Sequence, residues 1–234
     1  MLKTLASVLA GLSLTAAASA SVTFGDSAGD VFTGAGGGIL DILSVEVTSN
    51  ATDISFKINV AGDPVATDWG KYMVIIDTVA GNGNGDAMGN GWARPVGYSG
   101  VSGGEGAERW LGSWVDSGNG LENYSWNGSN WSLIGATYNA TPGLTISKTS
   151  TSVTLNVPLA DLGVAPGANI CFDVFTSGGG GGDGAIDSLG NPGVQVGDWG
   201  QYSVAHPVCY TVPAPAAPAL LGAAGLLVAR RRRR

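Results

Sequence analysis

Two neighbouring segments of this chain alternate apolar and polar residues with a period of two. Leu43, Val45 and Val47 alternate with Ser44, Glu46 and Thr48; Ile54, Phe56, Ile58 and Val60 alternate with Ser55, Lys57 and Asn59. A helix repeats near every 3.6 residues, whereas an extended chain places every second side chain on one face. Both segments therefore read as half-buried strands. The turn-forming stretch Ser49-Asn50-Ala51-Thr52-Asp53 joins them as a hairpin. A hairpin with one apolar face needs a second layer to cover it, so the chain is committed to packed sheets.

The rest of the body repeats this pattern. Tyr72 to Ile76 is a continuous apolar run, suited to a central strand covered on both faces. Segments 108–116, 124–126, 131–133, 144–147, 153–157, 170–176 and 208–212 read as further strands. Asn127-Gly128-Ser129-Asn130 and Lys148 to Ser152 are hairpin turns. Leu159 to Leu162 reads as one helical turn stopped by Gly163. Glycine makes up 39 of the 234 residues, against a usual share of about 7%. It gathers between the strands, at 34–38, 81–91, 97–106 and 178–184. Such loops either bend tightly round a ligand or wander. The expected fold is all-β: a two-sheet β-sandwich of roughly ten strands over 21–212. The triplet Asp-Trp-Gly occurs at 68–70 and again at 198–200, each time followed one residue later by a tyrosine.

The two ends read as addresses. Residues 1–20 carry Lys3, an apolar run from Leu5 to Ala17, and the small-x-small site Ala18-Ser19-Ala20. This is the pattern of a secretory signal peptide, a helix removed after Ala20. Residues 213–234 begin Pro213-Ala214-Pro215, continue as an apolar stretch from Ala216 to Ala229, and end in Arg230 to Arg234. Counted from Val212 the stretch reaches the lower limit of a membrane-spanning helix. The arginines hold its end on the cytoplasmic side, while the body is already exported.

This three-part tail resembles the PEP-CTERM sorting signal of exopolysaccharide-making bacteria: a Pro-Glu-Pro motif, a short apolar helix and an arginine cluster. Here Pro213 and Pro215 match the motif, Ala214 replaces its glutamate, and Arg230 and Arg231 begin the cluster. The resemblance implies an exosortase-like membrane protease or transpeptidase as partner. It also implies a transient stay in the inner membrane and release to the cell surface or matrix. The order Gly29-Asp30, a glycine-rich gap, Ile39-Leu40-Asp41-Ile42, two alternating strands and a strand ending Ile76-Asp77 resembles carbohydrate-binding module family 9 and DOMON-like sandwiches, which implies an immunoglobulin-like or jelly-roll β-sandwich.

Charge excludes one class of partner. Between 21 and 213 only Lys57, Lys71, Arg94, Arg109 and Lys148 stand against all 18 acidic residues, a net of −13. Such a body repels phosphate backbones, so no nucleic-acid partner is expected. Enzymatic chemistry also finds little support. Gly100-Val101-Ser102-Gly103-Gly104 matches a nucleophile elbow by letter but lacks the flanking strand and helix. One histidine, His206, and two cysteines leave little for metal or nucleophile chemistry. Glu105 with Glu108 could serve a glycosidase, yet both sit in a glycine loop. The reading is a non-enzymatic protein.

Three sets of residues stand out. Trp92, Trp110, Trp114, Trp126 and Trp131 cluster in the middle third. Packing within the sheets is the first reading of such a cluster; the alternative is a binding face for exopolysaccharide, since exposed indoles stack on the CH faces of sugars. Asp26, Asp30, Asp41, Asp183 and Asp187 could ring a structural calcium, or each could simply cap a turn. Cys171 and Cys209, both in expected strands of an exported chain, permit one disulfide or remain two buried thiols.

Overall fold

A computed structural model describes residues 20–79, 83–100, 105–191 and 198–214. The expected signal helix and the sorting tail from Pro215 onward, with Ala18, Arg230 and Arg231, lie outside the described residues. No helix among those described is long and apolar enough to cross a membrane.

Among the described residues fourteen strands form: β1 (Ala20–Gly25), β2 (Ile42–Ser49), β3 (Asp53–Val60), β4 (Lys71–Asp77), β5 (Val96–Tyr98), β6 (Arg109–Trp114), β7 (Gly120–Trp126), β8 (Trp131–Ala136), β9 (Thr145–Lys148), β10 (Ser152–Pro158), β11 (Asn169–Ser177), β12 (Ala185–Ser188), β13 (Ser203–Ala205) and β14 (Val208–Thr211). The first sheet runs β1-β2-β3-β10-β9; the second runs β12-β11-β4-β6-β7-β8, with β14 also on β11. Every pairing in these two sheets is antiparallel.

Turn chemistry sets the hairpins. Asn50 Oδ1 accepts the N–H groups of Thr52 and Asp53 at the β2–β3 turn. Asn127 Oδ1 does the same for Ser129 and Asn130 between β7 and β8. Asparagine suits such sites because its side chain closes a turn on its own backbone. The single helical turn α1 (Leu159–Leu162) ends on Gly163 in the left-handed region.

The two sheets close over one apolar layer. Val45, Val47, Phe56 and Ile58 from the first sheet meet Tyr72, Val74, Ile76, Leu111 and Phe172 from the second. Phe172 touches Phe24 and Phe56 edge-on, at 5.5 and 5.2 Å between ring centroids. The alternate residues of β4, Met73 and Ile75, face outward into a second core with Trp110, Phe175, Val96 and Tyr98. The unbroken apolar run of β4 thus follows from cover on both faces. Four strands exceed the sequence expectation: β1, β5, β12 and β13. The last three are 3 or 4 residues long, too short to carry a period.

Candidate functional site

The second sheet bears a row of aromatic rings on its outer face. In β6, Trp110, Gly112 and Trp114 share that face; across β7 they pair with Tyr124, Glu122 and Gly120. Glycine is required at two of these positions by close approach. A Cβ on Gly112 would lie 2.4 Å from the Trp92 ring, and one on Gly120 only 1.8 Å from the Trp114 ring. The missing side chains are the seats of the two indoles.

Trp92 is brought there by a tight turn. The buried Asn90 side chain accepts the N–H groups of Trp92 and Arg94 and donates to the carbonyls of Arg94 and Val96. Trp92 and Trp114 lie 6.4 Å apart at an interplanar angle of 38°; Trp114 and Tyr138 lie 6.3 Å apart at 32°. One carboxylate fastens the row. Glu122 accepts the Trp92 Nε1–H at 2.7 Å, the Tyr124 hydroxyl at 3.0 Å and the Tyr138 hydroxyl at 2.7 Å. Trp92 and Trp114 are half-buried, and Tyr138 is 59% exposed.

Beside these indoles is a hollow of about 300 Å³, lined also by Lys71, Arg94 and Gly181. The Arg94 guanidinium lies 5.4 Å from the centre of the Trp92 ring, within cation–π range. Its Nη1 donates to Ser177 Oγ and to the carbonyl of Asp183. Burial lowers the Arg94 pKa, and Asp183 opposes this. Lys71 pairs with Asp116 at 3.3 Å.

Not every tryptophan joins this row. Trp110 is fully buried and stacks on Phe175 at 6.3 Å, so it is a core residue and has no face for a ligand. Trp126 and Trp131 pair across their hairpin at 5.8 Å, and Trp131 Nε1–H is held by Asp86. The residues the sequence reading passed over are Tyr138, Glu122, Lys71 and Arg94. Nothing in their spacing marks them; they meet through sheet pairing and the Asn90 turn.

A separate group of carboxylates collects where the two sheets meet. Asp30, Asp41 and Asp187 are buried and present oxygens within 4.8 Å of one another. Asp41 accepts the Gly29 N–H with both oxygens, and Asp187 accepts the Ile42 N–H. Asp26 borders the group. Burial, followed by the Asp30 and Asp41 charges, pushes Asp26 up to about 7. Burial, with the Asp26 and Asp30 charges, pushes Asp187 up to about 8. Crowded carboxylates of this kind suit a hard cation with oxygen ligands, calcium above all. Asp183 is not among them: its carboxylate folds back on its own loop to accept the Gly180 N–H at 2.9 Å. Of the five aspartates singled out in the sequence, the structure brings Asp30, Asp41 and Asp187 together, with Asp26 beside them.

Glu108 sits against Asp77 rather than beside the hollow. Burial, and then the Glu108 charge, pushes Asp77 up to about 6. Cys171 and Cys209 face one another on β11 and β14 and are joined as a disulfide. Compared with known families, curated proteins and solved structures, the chain shows no match.

Proposed function

We propose that this is an exported, non-enzymatic surface or matrix protein whose sandwich binds polysaccharide along Trp92, Trp114 and Tyr138. One observation carries the reading: Trp92, Trp114 and Tyr138 stand in a row 6.3–6.4 Å apart, the first and last held by one carboxylate, beside a hollow lined also by Lys71 and Arg94. A sugar ring has an apolar CH face and a polar rim. It needs an aromatic surface fixed in advance and a few polar groups at its edge. Fixing the rings beforehand lowers the ordering cost of binding. The resemblance to family 9 modules, and to the immunoglobulin-like or jelly-roll class, agrees with such a use of a sandwich.

Export and sorting rest on the two ends. Signal cleavage after Ala20 would leave Ser21 within β1, opposite Thr48. The tail from Pro213 would meet an exosortase-like partner in the inner membrane. Intact-mass measurement of the secreted protein tests this: a form beginning at Ser21 and shortened near Pro213 supports sorting, and one still ending at Arg234 contradicts it.

Binding is tested by affinity electrophoresis through gels containing the producing cells' own exopolysaccharide. Retardation of the native protein, lost in Trp114→Ala with an unchanged melting temperature, supports the reading. Equal mobility with and without the polysaccharide favours a purely structural role in the matrix.

A further inference from the structure

We infer that the site holds an internal stretch of a polysaccharide chain across two abutting subsites, not a single sugar or a chain end. This rests on the polysaccharide reading above.

The observation is a second aromatic hollow, of about 440 Å³, lined by Ala35, Trp69, Gly178, Gly179, Asp183 and Trp199. The two Asp-Trp-Gly triplets supply its indoles, whose rings meet edge-on at 6.1 Å. Two segments of the chain contribute to the lining of both hollows. On one wall Trp69 lines the second hollow and Lys71 the first, two residues apart. On the other, Gly179 lines the second and Gly181 the first, again two residues apart. Two residues of extended chain span at most about 7 Å, so the hollows adjoin along both walls.

The ridge between them is bare. Gly179, Gly180, Gly181 and Gly182 carry no side chain, and a Cβ built on Gly181 meets nothing within 4 Å. Arg94 anchors this loop from below through the carbonyls of Gly178 and Asp183. Arg94 is itself 6% exposed, and its Nε–H has no hydrogen-bond partner among the described residues. The two hollows offer complementary chemistry. The second presents indoles with the Asp183 carboxylate, of which one oxygen holds the Gly180 N–H and the other is an acceptor for a hydroxyl. The first presents indoles with Lys71 and Arg94, which donate. A pocket for a chain end is closed on one side. Here the bare glycine ridge is what separates the indoles of the second hollow, Trp69 and Trp199, from Trp92 and Trp114 of the first.

The test is calorimetric titration of the full secreted protein. Its probes are disaccharide, tetrasaccharide and hexasaccharide fractions of the exopolysaccharide used in the gels. Affinity should rise roughly tenfold or more from disaccharide to hexasaccharide. Trp199→Ala should remove that rise while leaving disaccharide binding in place. Gly182→Val, which adds a side chain to the ridge at an open position lining neither hollow, should do the same without touching either indole pair. Length-independent affinity, abolished by Trp114→Ala, would overturn the two-subsite inference and leave the binding reading intact. Absence of binding to every fraction and to the intact polysaccharide overturns both.

Discussion

Asp187 accepts the backbone N–H of Ile42 at 2.6 Å. That bond links β12 of one sheet to β2 of the other. It also brings the Asp187 carboxylate to Asp30 and Asp41, in a body already carrying excess negative charge. A divalent cation there would relieve the repulsion and fasten the sheets together. Calcium should therefore raise the melting temperature and a chelator should lower it. At a calcium concentration about a hundred times Kd the gain is about 2.7 kcal/mol, worth some 2–4 °C per kcal/mol in a domain of this size. Asp30→Asn with Asp187→Asn should abolish the response, whereas Asp183→Asn should keep it. A melting temperature indifferent to both calcium and chelator would refute the site.

Protons should compete for the same place. In the folded chain Asp187 is raised to about 8, Asp26 and Asp173 to about 7 and Asp77 to about 6, each from an ordinary 3.8. The folded state therefore holds protons that the unfolded chain has released. Stability from this source is complete below pH 3.8 and is lost as pH rises through 6 to 8. In chelator, the melting temperature should be higher near pH 5 than near pH 8. Calcium should narrow the difference, and Asp173 and Asp77 should preserve part of it. A melting temperature that climbs with pH in chelator would contradict the assignment.

The Cys171–Cys209 bridge closes a loop with a sequence separation of 38. It ties β14, the last strand, to the edge of β11. Loop-closure entropy assigns such a bridge about 2–4 kcal/mol. Reduction, or Cys171→Ala with Cys209→Ala, should lower the melting temperature accordingly and free the C-terminal strand to exchange its amide protons first. Unchanged stability after full reduction would remove the bridge from the account.

Trp110 and Trp114 are two residues apart on one strand, yet should fail differently. Trp110→Ala empties a fully buried volume and should cost about 3–5 kcal/mol. Trp114→Ala should cost far less stability and remove binding. Gly120→Ala is the sharper probe, since its methyl would have to enter the Trp114 ring. It should displace the indole and abolish retardation in exopolysaccharide gels. Normal binding by Gly120→Ala would show that the Trp114 position does not matter.

Long alternating strands were legible in the sequence because their side chains answer to one buried face. β2, β3 and the turn between β7 and β8 fall where expected, although β7 already begins at Gly120 and β8 runs on to Ala136. β5 and β13, each 3 residues long, hold together through each other in parallel, and no local pattern announces such a pair. Tryptophan clustering pointed to the right region but did not separate Trp110 from Trp114, because both occupy the same face of β6. What divides them is the cover laid over one end of that face. Asp183 and Asp187 stand close in sequence, yet the Asp183 carboxylate serves its own turn while Asp187, on β12, reaches Asp30 and Asp41; spacing alone does not separate them.

The most direct measurement is the mobility of the secreted protein and its Trp114→Ala and Tyr138→Ala variants in gels with and without the producing cells' exopolysaccharide. The account predicts that the native protein is retarded and that both variants run free, with melting temperatures unchanged. A native protein that is not retarded, or variants retarded as strongly as the native form, would contradict it.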